Sequence, residues 1–140
     1  MLDKRNFYIN GKWVKPKKTN DFNVINPSDE DSFAVISLGS KEDLDAAVES
    51  AKKAFVTWKE TSKKERVLLL EKLLSIYKKR FNEMTDAISK EMGAPIDWAS
   101  SVQNMSGQSH LEDFILRLKN YKFEDHFDKK SNNYISREPI

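Results

Sequence analysis

Between residues 62 and 93, apolar positions recur at alternating spacings of three and four: Val67, Leu70, Leu74, Tyr77, Phe81, Met84 and Ile88. That period is one face of an α-helix held for about six turns. Leu69, Leu73, Ile76 and Ala87 widen the stripe past a two-position seam, which predicts a core helix of a globular fold rather than a coiled coil. The opposite face carries Lys72, Lys78, Lys79, Asn82 and Lys90 and suits water. Ser62 with Glu65 predicts a capping box at the start. Gly93 and Pro95 predict the stop, because glycine accepts the left-handed cap and proline cannot continue the ladder.

Ahead of this helix the period changes to that of strands. Phe7-Tyr8-Ile9 and Trp13-Val14 flank Asn10-Gly11, a strong hairpin signal. Residues 22–25 and 33–38 predict two further strands, separated by the turn signal Asn26-Pro27-Ser28-Asp29. Ser40 with Asp43 caps another helix, whose face is Leu44, Ala47, Val48, Ala51, Phe55 and Trp58. Pro95 opens a third helix. Its middle is small and polar (Ser100, Ser101, Ser106, Gly107, Ser109), and an apolar face returns only at Phe114, Ile115, Leu118 and Tyr121. A glycine inside a helix costs roughly 1 kcal/mol against alanine, so Gly107 implies a close packing partner or a bend. Residues 122–130 read as a charged connector and 132–137 as a last strand. The fold class this implies is α+β: N-terminal strands over 1–39, a three-helix layer over 40–121 and a terminal strand without a partner.

Composition removes several classes of function. The 140 residues carry 24 basic and 22 acidic side chains, a balance that argues against a nucleic-acid partner. No cysteine is present, so disulfides, thiolate metal sites and thiol catalysis within these residues are excluded. No apolar run reaches membrane-spanning length and the start lacks a secretory signal, which makes a cytoplasmic location the expectation. His110 and His126 have no partner at a metal-ligand spacing. Glu112-Asp113 and Glu124-Asp125 are adjacent pairs, and adjacent helix residues do not face each other. The four glycines are scattered and form no phosphate loop. On chemistry alone these residues hold no active site.

Ordered segments add a resemblance. Phe-Tyr-Ile-Asn-Gly-Lys-Trp (7 to 13) and Val-Ile-Asn-Pro-Ser (24 to 28) resemble the N-terminus of the NAD(P)-dependent aldehyde dehydrogenase superfamily. The run 39–48, with Ala51, Phe55 and Trp58, is similar to that family's first helix, and Glu65-Arg66 with the leucines that follow to its second. Glu91-Met92-Gly93-Ala94-Pro95 resembles its acidic-x-Gly-Lys-Pro turn, with Ala94 in place of the usual Lys. Arg137-Glu138-Pro139-Ile140 is similar to the segment leading into the cofactor-binding core. The match runs nearly the length of the chain, in order.

The resemblance implies the N-terminal part of a Rossmann-like NAD(P)-binding domain in an enzyme that oxidises aldehydes to carboxylic acids with NAD or NADP. In the family a cysteine thiolate attacks the aldehyde, an asparagine and a backbone amide hold the oxyanion, and a glutamate activates the hydrolytic water. All of these groups are expected beyond residue 140. The expectation is therefore an excerpt that is inactive alone, with no catalytic or cofactor-binding residue of its own. Three further implications concern residues that are present. A structural sodium or potassium ion would sit against the carbonyls of Val24 and Ile25 and the carboxylate of Glu91, which stands where the family usually has Asp. Val102 and Ser106 would lie near the wall of the substrate tunnel. Residues 132–137 would begin a hairpin that reaches across a homo-oligomer interface. The alternative from another class is a stand-alone interaction module that binds full-length subunits through its apolar helix faces.

Overall fold

Asn10 and Gly11 both take positive φ, 53° and 72°, as the hairpin signal requires. This turn joins β2 (Phe7–Ile9) to β3 (Lys12–Val14) with Tyr8 opposite Trp13, and the two exposed rings meet edge-on at 5.2 Å. The structure, a computed structural model, describes residues 1–126 and 133–138. Ahead of the hairpin lies β1 (Leu2–Asp3), which pairs in parallel with β5 (Ser32–Ser37). Two residues are too few to show a period, so no pattern announces this strand. Antiparallel β4 (Asp21–Ile25) completes a three-stranded sheet in the order β1-β5-β4. Arg5 ties its two edges, pairing with Asp3 at 2.6 Å and Asp21 at 3.1 Å. The Arg5 hydrogen bonds hold the Asp3 carboxyl down to about 2.

The helix α1 (Lys41–Trp58) starts on the expected capping box. The Ser40 hydroxyl accepts from the Asp43 amide, and the Asp43 carboxylate accepts from the Ser40 amide at 3.0 Å. The other Asp43 oxygen accepts from the Lys17 amide at 2.9 Å, so this buried carboxylate also straps the β3–β4 connector to the helix. Ser62 and Glu65 form the second box, at the start of α2 (Lys63–Lys79).

The single long helix expected over 62–93 is two helices. The chain turns at Arg80 (φ −104°, ψ 19°), whose amide reaches the carbonyls of Ile76 and Tyr77, and α3 (Phe81–Met92) follows. The periodicity survives because the break shifts direction without inserting residues. What it achieves is tertiary: α3 swings against the following helical stretch, and the Phe81 carbonyl accepts from the Asn104 amide at 2.7 Å. Gly93 caps α3 in the left-handed region, as expected.

The third helical stretch comprises α4 (Ile96–Trp98), a π-helical segment (Ala99–Asn104) and α5 (Met105–Asn120). Pro95 occupies the cap and not the first turn, one position from expectation. α2 and α5 pack antiparallel, bridged by Lys78–Glu112 and Glu71–Lys119, each at 2.6 Å. Lys63 Nζ donates to the carbonyls of Lys119 and Tyr121, both at 3.1 Å, and so closes the carbonyl end of α5.

The stretch read as a connector holds β6 (Glu124–His126), which pairs antiparallel with β7 (Tyr134–Ser136). The final strand therefore has a partner, contrary to expectation. The charged residues of β6 hid it, since what holds it is its ladder bonds, the Arg137–Asp125 ion pair at 2.7 Å and the His126–Tyr134 ring contact at 5.5 Å, not an apolar stripe. The rest of the connector (127–130), Asn132 and the last two residues lie outside the described residues. The α+β class stands.

Candidate functional site

Two neighbouring loci carry the residues singled out in the sequence. The first lies where β4 runs into its turn. The ladder shifts register between Val24 and Ile25, so that Val24 faces Ala34 and Ile25 faces Ser32. Such a bulge interrupts regular pairing at the very carbonyls named above. Asn26 then organises the turn: its Oδ1 accepts from the Ser28 amide at 3.1 Å, its Nδ2 donates to Asp29 at 2.8 Å, and its carbonyl accepts from Glu30 at 2.8 Å. Glu30 follows with φ 63°.

The end of α3 closes on this turn. A Cβ placed on Gly93 would lie 3.1 Å from Pro27 Cβ and 3.3 Å from Ser28 Oγ. Gly93, two residues past Glu91, thus packs on the turn that follows Val24 and Ile25. Ser89 Oγ steadies the exit from the helix by donating to the Ala94 carbonyl at 2.7 Å. Among the described residues no three His, Cys, Asp or Glu side chains cluster as a metal site, so any ion here would rest on main-chain oxygens and one carboxylate. The Oγ of Ser32, opposite Ile25, is buried without a hydrogen-bond partner among the described residues.

The second locus is the π-helical segment with the start of α5, joined to the first through a 3.7 Å contact from Gln103 Nε2 to Met92 Sδ. Val102 and Ser106 both lie on its exposed side. Behind them sits a residue the sequence reading passed over. Asn104 is 0% exposed. Its Nδ2 donates to the Phe81 carbonyl and to Thr85 Oγ1, each at 2.7 Å, while its Oδ1 accepts from the Tyr77 hydroxyl. A signal for it exists: Asn104, Gln108, Leu111, Ile115 and Leu118 follow the helical period, so an asparagine stands in the apolar stripe. His110 takes no part in either locus.

A family model described as the aldehyde dehydrogenase family matches residues 13–140. The chain belongs to the aldehyde dehydrogenase family. It is 40% identical over 126 residues to 3-succinoylsemialdehyde-pyridine dehydrogenase of a Pseudomonas species, covering 89% of this chain and 26% of that protein. An aldehyde dehydrogenase structure from Bartonella henselae superposes with a TM-score of 0.91 at 49% identity, over 94% of this chain and 28% of that one. A mutant of aldehyde dehydrogenase C from Pseudomonas syringae, in complex with NAD+ and octanal, matches with a TM-score of 0.86 at 32% identity, over 89% of this chain and 26% of that one. The chain therefore spans little more than a quarter of the length of these relatives.

Proposed function

We propose that these residues are the N-terminal part of the NAD(P)-binding domain of an enzyme that oxidises aldehydes to carboxylic acids, and that they are inactive by themselves. The observation that carries this reading is the Bartonella match: half the residues are identical over nearly the whole chain, yet little more than a quarter of that enzyme is matched. The thiolate that would attack the aldehyde has no residue here to supply it, since the chain holds no cysteine. NAD or NADP is the oxidant of the whole enzyme, and no glycine-rich loop in these residues would cradle its phosphates. A homo-oligomer in the cytoplasm completes the reading, with the β6–β7 hairpin at the subunit interface.

Within that enzyme, Val24, Ile25 and Glu91 would hold a sodium or potassium ion. The interrupted ladder, the packing of Gly93 on the turn and the unpaired Ser32 oxygen support an oxygen-lined site for such a hard cation. Val102 and Ser106 would face the route of the aldehyde, which their exposure on one side of the helix supports.

The test is NADH formation. The purified 140-residue chain should reduce no NAD+ or NADP+ with any aldehyde, while a full-length enzyme carrying the segment should. Turnover by the short chain would overturn the reading. The alternative, a module that binds full-length subunits, draws on the many exposed apolar side chains. It requires co-elution with a full-length relative in size exclusion.

A further inference from the structure

Ala99 and Asn104 are both 0% exposed although they stand five positions apart. In an α-helix, at roughly 100° per residue, they would point about 140° apart. The segment between them is π-helical, with the Met105 amide reaching back to the Ser100 carbonyl, and in that geometry residues five apart stack on one side. The extra residue in the turn lets Ala99, Asn104 and Ile115 all face the protein. By the same rotation Trp98, Val102 and Met105 face outward together, at 56%, 41% and 41% exposure, with Ser101 and Ser106 beside them. No Lys or Arg occurs between Lys90 and Arg117, so this outward face bears no cation.

What holds the wide turn is polar. Both amide hydrogens and the oxygen of the Asn104 side chain are engaged by groups on α2 and α3, and Thr85 is itself buried. A buried network of this kind fixes one arrangement, because rotating the helix would leave each member unpaired.

We infer that Asn104 is a positioning residue: its buried amide holds the π turn and so presents Trp98, Val102 and Met105 as one face to the apolar body of the aldehyde. The inference rests on the tunnel reading proposed above. Thr85 is the member that can be changed with least disturbance, since valine keeps its shape and removes only the oxygen that accepts from Asn104.

The experiment compares Thr85→Val, Thr85→Ser and Val102→Trp in a full-length enzyme carrying this segment, with a long aliphatic aldehyde (octanal), acetaldehyde and NAD+ as varied substrates. Thr85→Val should raise KM for octanal about fivefold, because small misplacements of substrate-positioning groups are felt strongly. It should leave kcat and the KM values for acetaldehyde and NAD+ unchanged, and Thr85→Ser should restore the octanal KM. A Thr85→Val enzyme that melts earlier but keeps its ratio of octanal to acetaldehyde KM would overturn the inference and leave the network purely structural. Val102→Trp separates the two levels. If it leaves every aldehyde KM unchanged, the tunnel reading fails and the inference falls with it. If it shifts the octanal KM while Thr85→Val does not, only the positioning role is lost.

Discussion

The Tyr77 hydroxyl stands 2.7 Å from the point where a Cβ on Gly107 would lie. The glycine is there for clearance. The hydroxyl cannot simply swing away, because it donates to Asn104, and the helix accepts a residue of poor propensity so that α2 and α5 can close.

Gly107→Ala should therefore destabilise a full-length enzyme containing this segment, despite the better helix former. Overpacking of about 1–3 kcal/mol outweighs a propensity gain of about 1 kcal/mol. In a Tyr77→Phe background the obstructing oxygen is gone, and Gly107→Ala should become neutral or stabilising. Urea midpoints of the four proteins in this cycle measure the coupling, and additive effects would refute the account.

Asp43 predicts a pH dependence. Hydrogen bonds from the Lys17 amide, then from Ser40, hold its carboxyl below the usual range. A lowered folded-state value means that the ionised form favours folding. Its contribution is thus complete above the ordinary aspartate value of about 4 and is lost as pH falls through the folded value. Asp43→Asn should flatten the acid side of the stability curve relative to the parent. Ser40→Ala, which removes the reciprocal cap, should cost about 1 kcal/mol at neutral pH. Thermal melts from pH 7 downward measure both.

The cation reading predicts an ion-specific melt. Replacing sodium and potassium by choline should lower the melting temperature of the full-length enzyme, and restoring either ion should recover it. Glu91→Gln should abolish that dependence while leaving the melt in choline unchanged. An equal response to choline, sodium and potassium at fixed ionic strength would remove the site.

The short chain by itself should not behave as a well-packed monomer. Leu44, Val56 and Leu68 are 62%, 64% and 55% exposed. An apolar hollow of about 560 Å³ opens beside Trp58, Leu70, Phe114 and Leu118. Surfaces of this kind drive association or loose packing. Size exclusion should give a species larger than a monomer, with bound 1-anilinonaphthalene-8-sulfonate. A monomer with a sharp cooperative melt and no dye binding would contradict this.

Local signals carried the elements with local causes. Asn10-Gly11, the two capping boxes and the Gly93 stop each act within a few residues, and the structure has all of them where the pattern put them. The loci were legible only as resemblance. Glu91 lies far from Val24 and Ile25 in sequence, and nothing in their spacing announces that Gly93 packs on Pro27.

The elements that escaped are those whose cause is a partner. β1 exists because β5 offers a free edge, and β6 because β7 does. The turn at Arg80 preserves the apolar period and so leaves no trace in it. The π turn is invisible for a related reason: a stripe read at a fixed angle per residue cannot register one inserted residue. By itself the sequence determined the hairpin turn, the two capping boxes and the Gly93 stop, because caps and turns are short-range, and its ordered segments carried the resemblance to the family. Only the tertiary structure decided where a helix breaks and which residues it turns inward, because a buried amide such as that of Asn104 must find its partners across helices.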